Sequence, residues 1–399
     1  MMKYMSKPIL KLTLWGALIV AMLFLTVMAF LSLRYSPEYM VRELFMDLGD
    51  TDDYLIMPSR QLTASSNPFQ FKVDTSKERV VQEAFQTNTK IEDLDAFLKN
   101  TGTWAFLVVQ DDTILYERYF NEHQRDSLVT SFSVAKSFDS ALIGIAIEEG
   151  YIKSVNDPIT DYIPELAERD PRFRDIQIRH LLMMASGLRY KDRLLASDHS
   201  LTYEFDDLRH LVLTETEVVE PPEETFVYND YNPQILGLIL ERATGRPVTT
   251  YLQQKIWDPI GMEYDGSWSL DSEKSGFERM QSSINARAVD YAKFGRLYLN
   301  GGNWNGTQIV PAAWVSASTR DNGMIEDAPI YYGYLWWGKN CNPDSQDFLA
   351  VGDHGQFIYV SPAKDLIIVR NGAEYGVESS GEEWVVWADA FCKFAAAMP

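Results

Sequence analysis

The sequence predicts an α+β protein: strands from both ends of the chain form one antiparallel sheet, flanked by helices, with a helical lobe inserted between them. Three observations carry this. Strand-like runs occur at 103–110 and 113–120 and return only near the C-terminus. The stretch from about 155 to 315 is helix-rich and broken by Pro and Gly, and a helical pattern closes the chain at about 382–397. The 399 residues, 46% hydrophobic and 13% aromatic, suffice for one large core or two lobes sharing one.

The chain opens with an uncharged run of 22 residues, LTLWGALIVAMLFLTVMAFLSL at 12–33. At about 1.5 Å per residue it matches the roughly 30 Å hydrocarbon core, so it predicts an N-terminal transmembrane helix. A cleaved signal is the competing reading, but its apolar region usually has about 7 to 15 residues. Lys3, Lys7 and Lys11 precede the run and Arg34 follows it. The positive-inside bias then predicts a single-pass protein of the inner (cytoplasmic) membrane with its body on the periplasmic side. Residues 1–34 are read as tail and anchor, 35–100 as a stalk and N-terminal extension wrapped on the body, and 101–399 as the main domain.

Within the main domain, TWAFLVVQ and TILYERYF are joined by Asp111-Asp112, a hairpin signal. The helix that follows carries Val134, Phe138, Ala141, Leu142 and Ile145 at one-stripe spacing and stops at Gly150. Ser133 falls in its first turn. Strands return as YGYLWWG (332–338), QFIYVSP (356–362) and DLIIVRNG (365–372), and the cleft between sheet and lobe is where a site is expected.

Charge and motifs exclude several classes. Net charge is -21, and since the first 34 residues hold four basic groups and no acids, the rest carries 32 - 57 = -25. Such a body repels phosphate backbones, so no nucleic-acid partner is expected. Gly-x-Ser-x-Gly, His-Glu-x-x-His and glycine-rich nucleotide loops are absent, and the five histidines lack ligand spacing. No metal and no cofactor is indicated. The two cysteines, Cys341 and Cys392, are free to pair in an oxidising compartment.

Against this background Ser133 and Lys136 stand out. Residues i and i+3 share a helix face, so serine hydroxyl and lysine amine can meet, and the helix N-terminus favours a developing alkoxide. Burial disfavours the ammonium and would make the lysine a base near neutral pH. A Ser-x-x-Lys pair alone fits a solvated helix face equally well, so its context has to decide.

Four blocks supply that context: SFSVAKSFDSALIGIAIEEGYIKSVNDPITDYIPEL, IQIRHLLMMASGL, TFVYNDYNPQILGLILERATG and INARAVDYAKFGRLYLNGGNWNGTQIVPAAWV. In this order and spacing, over about residues 101–395, the chain resembles the serine β-lactamase-related family. That family includes class C β-lactamases, penicillin-binding carboxypeptidases, related esterases and 6-aminohexanoate-dimer hydrolases. The resemblance implies Ser133 as nucleophile, Lys136 as its base and Tyr228 as the phenol relaying a proton to the leaving group, with Tyr231 as the alternative. It implies backbone N–H groups of Ser133 and Asp353 as the oxyanion hole. Asp230, Asn232, His354 and Gly355 would line the substrate cleft.

Two departures bear on function. Asp230 stands where the family's Tyr-x-Asn motif has Asn, and a carboxylate beside Lys136 would raise the lysine's pKa. Asp230 therefore either points away, is balanced by another group, or leaves the amide role to Asn232. The Lys-Thr-Gly-like stretch reads Ala350-Val351-Gly352, without the groups that hold a carboxylate. The GDHGQ run that follows from Gly352 looks more like the dimer-hydrolase and esterase branches. The expected function is hydrolysis of a small-molecule ester or amide through an acyl-enzyme outside the cytoplasm. A D-Ala-D-Ala carboxypeptidase or β-lactamase is the first alternative, and a catalytically silent binding protein the second. The charged, aromatic segment between Gly187 and Asp207 reads as a rim over the cleft or as a solvated loop.

Overall fold

The computed structural model describes residues 36–399, apart from 46–48, 90, 192–196, 326–328, 343–344 and 380–381, together with scattered residues between 15 and 32. Its central sheet has eight strands: β1 (Lys72–Val73), β2 (Thr103–Gln110), β3 (Thr113–Tyr119), β4 (Ile330–Tyr332), β5 (Trp337–Asn342), β6 (Ser345–Gly352), β7 (Gln356–Ser361) and β8 (Leu366–Gly372). Their spatial order is β4-β5-β6-β7-β8-β2-β3-β1, antiparallel except for the two-residue β1 edge. The two chain ends meet where β8 pairs with β2, Val369 opposite Leu107. The β2–β3 hairpin turns at Asp111 and Asp112, with φ of 50° and 56°, the left-handed pair that a tight hairpin needs.

Six helices frame the sheet: α1 (Glu78–Thr89), α2 (Leu94–Asn100), α3 (Ala135–Glu148), α4 (Tyr231–Thr244), α5 (Ala288–Leu299) and α6 (Glu383–Ala397). On the outer face, α1, α2 and α6 cover Phe106, Val108, Phe357 and Tyr359, with Phe85 stacked on Phe394 at 4.1 Å. On the inner face the core is shared by the sheet, α5, α3 and α4. Residues Ala135 to Ala146 of α3 are all buried, polar ones included. A single apolar stripe was the expectation; α3 is instead the central helix, covered on every side. Phe138 stacks on Phe294 of α5 at 3.6 Å, and at Gly144 a Cβ would come within 2.4 Å of the Trp314 ring.

The run YGYLWWG is not one strand. It splits at residues 333–336, where Leu335 takes φ 58° and donates its N–H to Leu182 O at 3.0 Å. Tyr332 and Trp336 enter the core, whereas Trp337 borders a cleft. A disulfide joins Cys341 of β5 to Cys392 of α6, 51 residues apart with a Cα separation of 5.4 Å. Closing a loop of that size stabilises by about 4 kcal/mol through the unfolded chain. Reduction is therefore expected to lower Tm by on the order of 5 °C in calorimetry. An unchanged Tm in the Cys341→Ser/Cys392→Ser variant would show that the bridge adds nothing.

The transmembrane helix expected at 12–33 is corrected by the structure. Among the described residues no helix is long and apolar enough to cross a membrane. Some residues of the run lie outside the described ones. The inner-membrane, periplasmic placement and the membrane partnership, both inferred from that span, go with it.

Candidate active site

Ser133 sits in a single 3-10 turn, Phe132–Val134, between the short strand Val129–Thr130 and α3. The turn is strained: Phe132 is bulky, nearly buried, and has φ 44°. Such outliers persist only where surroundings hold them. Here Ser131 does so, its hydroxyl accepting from Ile284 N–H at 3.0 Å and its own N–H donating to Ile284 O at 2.8 Å. From the other side β6 closes in, and at Gly352 a Cβ would lie 2.2 Å from Ser131 O. A residue with a side chain at 352 would push the strand end away, so glycine lets Asp353 come beside Ser133. Both border a cleft of about 760 Å³.

Lys136 lies behind Ser133, beneath that cleft, with its side chain 2% exposed. Its ammonium donates to Ser133 Oγ at 2.7 Å and Gln281 O at 2.9 Å, and forms an ion pair with Asp230 Oδ1 at 2.8 Å. The Tyr228 ring lies 4.7 Å below Nζ, and this ring also stacks on Trp337 at 5.8 Å. Burial alone would push the amine down, but the Asp230 carboxylate and Tyr228 overcome it and hold Lys136 above the ordinary lysine range. The resting form is an ammonium, contrary to the lowered pKa expected from burial.

Asp230 thus points at Lys136 and not away. Its second oxygen accepts from Tyr190 Oη at 2.9 Å and lies 3.8 Å from His199 Nδ1. Burial first, then the Asp230 charge, pushes the Tyr190 phenol far up, so it stays a donor. One turn beyond Lys136, Asp139 is fully buried with no hydrogen-bond partner on either oxygen among the described residues. Burial raises its carboxyl well above the usual range, against the opposing pull of Lys136.

The remaining expected residues separate. Ser133, Tyr228, Asp230 and Asp353 border one cleft. Tyr231 is buried, its hydroxyl on Asp198 Oδ1 at 3.2 Å. Asn232 is buried as well, its amide between Ser186 Oγ at 2.7 Å and the Met184 sulfur at 3.3 Å. It does not stand in for the missing amide. His354 places Nδ1 2.8 Å from Ala373 O and Nε2 2.8 Å from Gly49 O. Gly355 is pinned from behind by the buried Arg370, which donates to its carbonyl at 2.8 Å. Asn232, His354 and Gly355 therefore support the walls and do not form them. The rim reading of 187–207 holds for Tyr190 and His199, which border the cleft, while 192–196 lie outside the described residues. Residues the sequence did not single out are Gln281, Phe226, Tyr375 and Trp384. Gln281 acts through its main-chain carbonyl, which no side-chain motif betrays. Among the described residues the one grouping of metal-ligand types, Cys341, Asp347 and Cys392, has both sulfurs in the disulfide.

This fold, with a serine and a lysine meeting at the head of its central helix, is that of the β-lactamase-like serine hydrolases. The chain belongs to the Beta-lactamase family, whose sequence pattern matches residues 92–374. It is 28% identical over 309 residues to the 6-aminohexanoate-dimer hydrolase of Paenarthrobacter ureafaciens, covering 71% of this chain and 75% of that one. Among solved structures, a provisional 6-aminohexanoate-dimer hydrolase from Bacillus anthracis superposes with a TM-score of 0.73 at 23% identity, covering 90% of this chain and 94% of that one. A family VIII carboxylesterase does so with 0.57 at 16% identity, covering 82% and 98%. At such identities the structural likenesses speak for the fold alone.

Proposed function

We propose that this chain is a serine hydrolase that cleaves a small-molecule ester or amide through an acyl-enzyme on Ser133. The observation that carries the reading is the 2.7 Å contact of Lys136 Nζ with Ser133 Oγ at the floor of an open cleft. Ser133 Oγ bonds to the substrate carbonyl carbon as its proton passes to Lys136, once Lys136 has lost one of its own. The N–H groups of Ser133 and Asp353 hold the carbonyl oxygen as it becomes negative. Tyr228 hands the proton to the leaving alcohol or amine, the acyl bond to that group breaks, and water later releases the acid. The relative named 6-aminohexanoate-dimer hydrolase supports this substrate class. The buried Ala350 and Val351 offer no side-chain donor for a substrate carboxylate, which disfavours β-lactams and D-Ala-D-Ala peptides.

The test is the intact mass of the protein after treatment with a fluorophosphonate. One adduct on the wild type, absent from Ser133→Ala, is expected. The Lys136–Asp230 ion pair favours one competing reading, a cleft kept for binding. No adduct on either protein would establish that reading.

A further inference from the structure

We propose that the cleft above Ser133 selects esters or amides ending in an ammonium group over those ending in a carboxylate, an inference that rests on the acyl-enzyme reading above. Two features of the walls converge on it. The first is charge. Among the described residues no lysine or arginine borders the cleft, His199 lies there against Asp230, and Lys136 behind it is held by Ser133, Gln281 and the Asp230 carboxylate. Beside Asp230, which is paired with Lys136, three more carboxylates border it: Asp353 after β6, and Glu382 and Glu383 at the start of α6. All three are exposed, and none has an ion-pair partner among the described residues. A neighbouring hollow of about 400 Å³ shares Asp353 and Glu383 and adds Glu374 and Glu378.

Placement at a helix N-terminus suits Glu382 and Glu383 in itself. It does not account for Asp353, which comes from a separate turn and faces the same space. The second feature is aromatic. Trp337 packs on Trp384 at 4.7 Å and on Tyr228 at 5.8 Å, and these rings border the cleft with Phe226 and Tyr375. Ring faces attract a cation and give nothing to a carboxylate. An alkyl chain topped by an ammonium group meets both features, with its stem on the rings and its charge at the acidic rim. A terminal carboxylate meets repulsion there and finds no lysine or arginine among the described residues.

The probes are three p-nitrophenyl esters of matched chain length, ending in trimethylammonium, methyl or carboxylate. Expected kcat/KM for the cationic ester exceeds the neutral one by about tenfold or more, and the neutral exceeds the anionic. The cationic-to-neutral ratio should fall severalfold in Glu382→Gln/Glu383→Gln, and fall again at high salt as the rim is screened. Equal turnover of the three esters, or preference for the carboxylate, overturns the inference and leaves the hydrolase reading standing. Turnover of none, with no fluorophosphonate adduct on Ser133, overturns both.

Discussion

Replacing Lys136 by methionine slows acylation of Ser133 by on the order of 10³-fold, the scale on which a positioned general base contributes. Methionine keeps most of the volume of the buried stem and removes the nitrogen. Ser133 Oγ then loses its 2.7 Å partner, the Gln281 carbonyl loses a donor, and Asp230 is left facing an apolar side chain. Stranding a carboxylate whose side chain is only 12% exposed also destabilises the fold, since removal of one partner of a buried pair is costly. Near-ultraviolet circular dichroism on the same samples separates that effect from chemistry. Burst-phase kinetics with a p-nitrophenyl ester reads the acylation rate. A Lys136→Met protein that is folded and acylates within tenfold of wild type would remove the lysine from the reaction.

Replacing Asp230 by asparagine moves the pH dependence of acylation to lower pH and accelerates acylation at pH 7 by tenfold or more. In the wild type the carboxylate and Tyr228 together outweigh burial and hold Lys136 above the ordinary lysine value of 10.5. The amine that accepts the serine proton is therefore scarce at neutral pH. With a neutral amide at 230, burial acts against the ammonium with less opposition, and each unit of downward shift gives about tenfold more free amine. The linkage has a definite sign. Because the folded-state value is raised, the pair's stabilisation is complete below pH 10.5 and is lost as pH rises through the folded value. The wild type should therefore lose stability in that alkaline window, while Asp230→Asn shows a weaker decline. Acylation rates from pH 6 to 11 measure the first effect and urea midpoints the second. Superimposable profiles would show that Asp230 does not set the state of Lys136. Tyr190 and His199 touch the same carboxylate, so either of them substituted should move the midpoint in part.

Much of this site was legible from sequence because its chemistry is local. Ser133 and Lys136 are three residues apart, and a helix turn brings them together whatever surrounds it. Tyr228 and Asp230 sit at the entrance to another helix, so their block could be placed once its order along the chain matched the family. The hairpin at Asp111-Asp112 and the strands from residue 356 onward follow alternation and turn chemistry of the same short range. Where the reading failed, the interaction spans distant segments. The break in YGYLWWG depends on Leu182 capturing Leu335 N–H and on Gly333 lying against Ser318 O. The 22-residue apolar run met a length criterion, yet no described helix meets the one for crossing a membrane.

By itself, then, the sequence determined the α+β class and the family, and singled out the serine, lysine and tyrosine of the proposed acyl transfer, since helix geometry and block order are properties of the chain alone. Only the tertiary structure decided the charge state at the centre. Whether Lys136 rests as amine or ammonium depends on which way the Asp230 side chain turns and how close Tyr228 lies. Burial and a neighbouring carboxylate push the lysine in opposite directions, and the sum is fixed by distances that no spacing along the chain encodes.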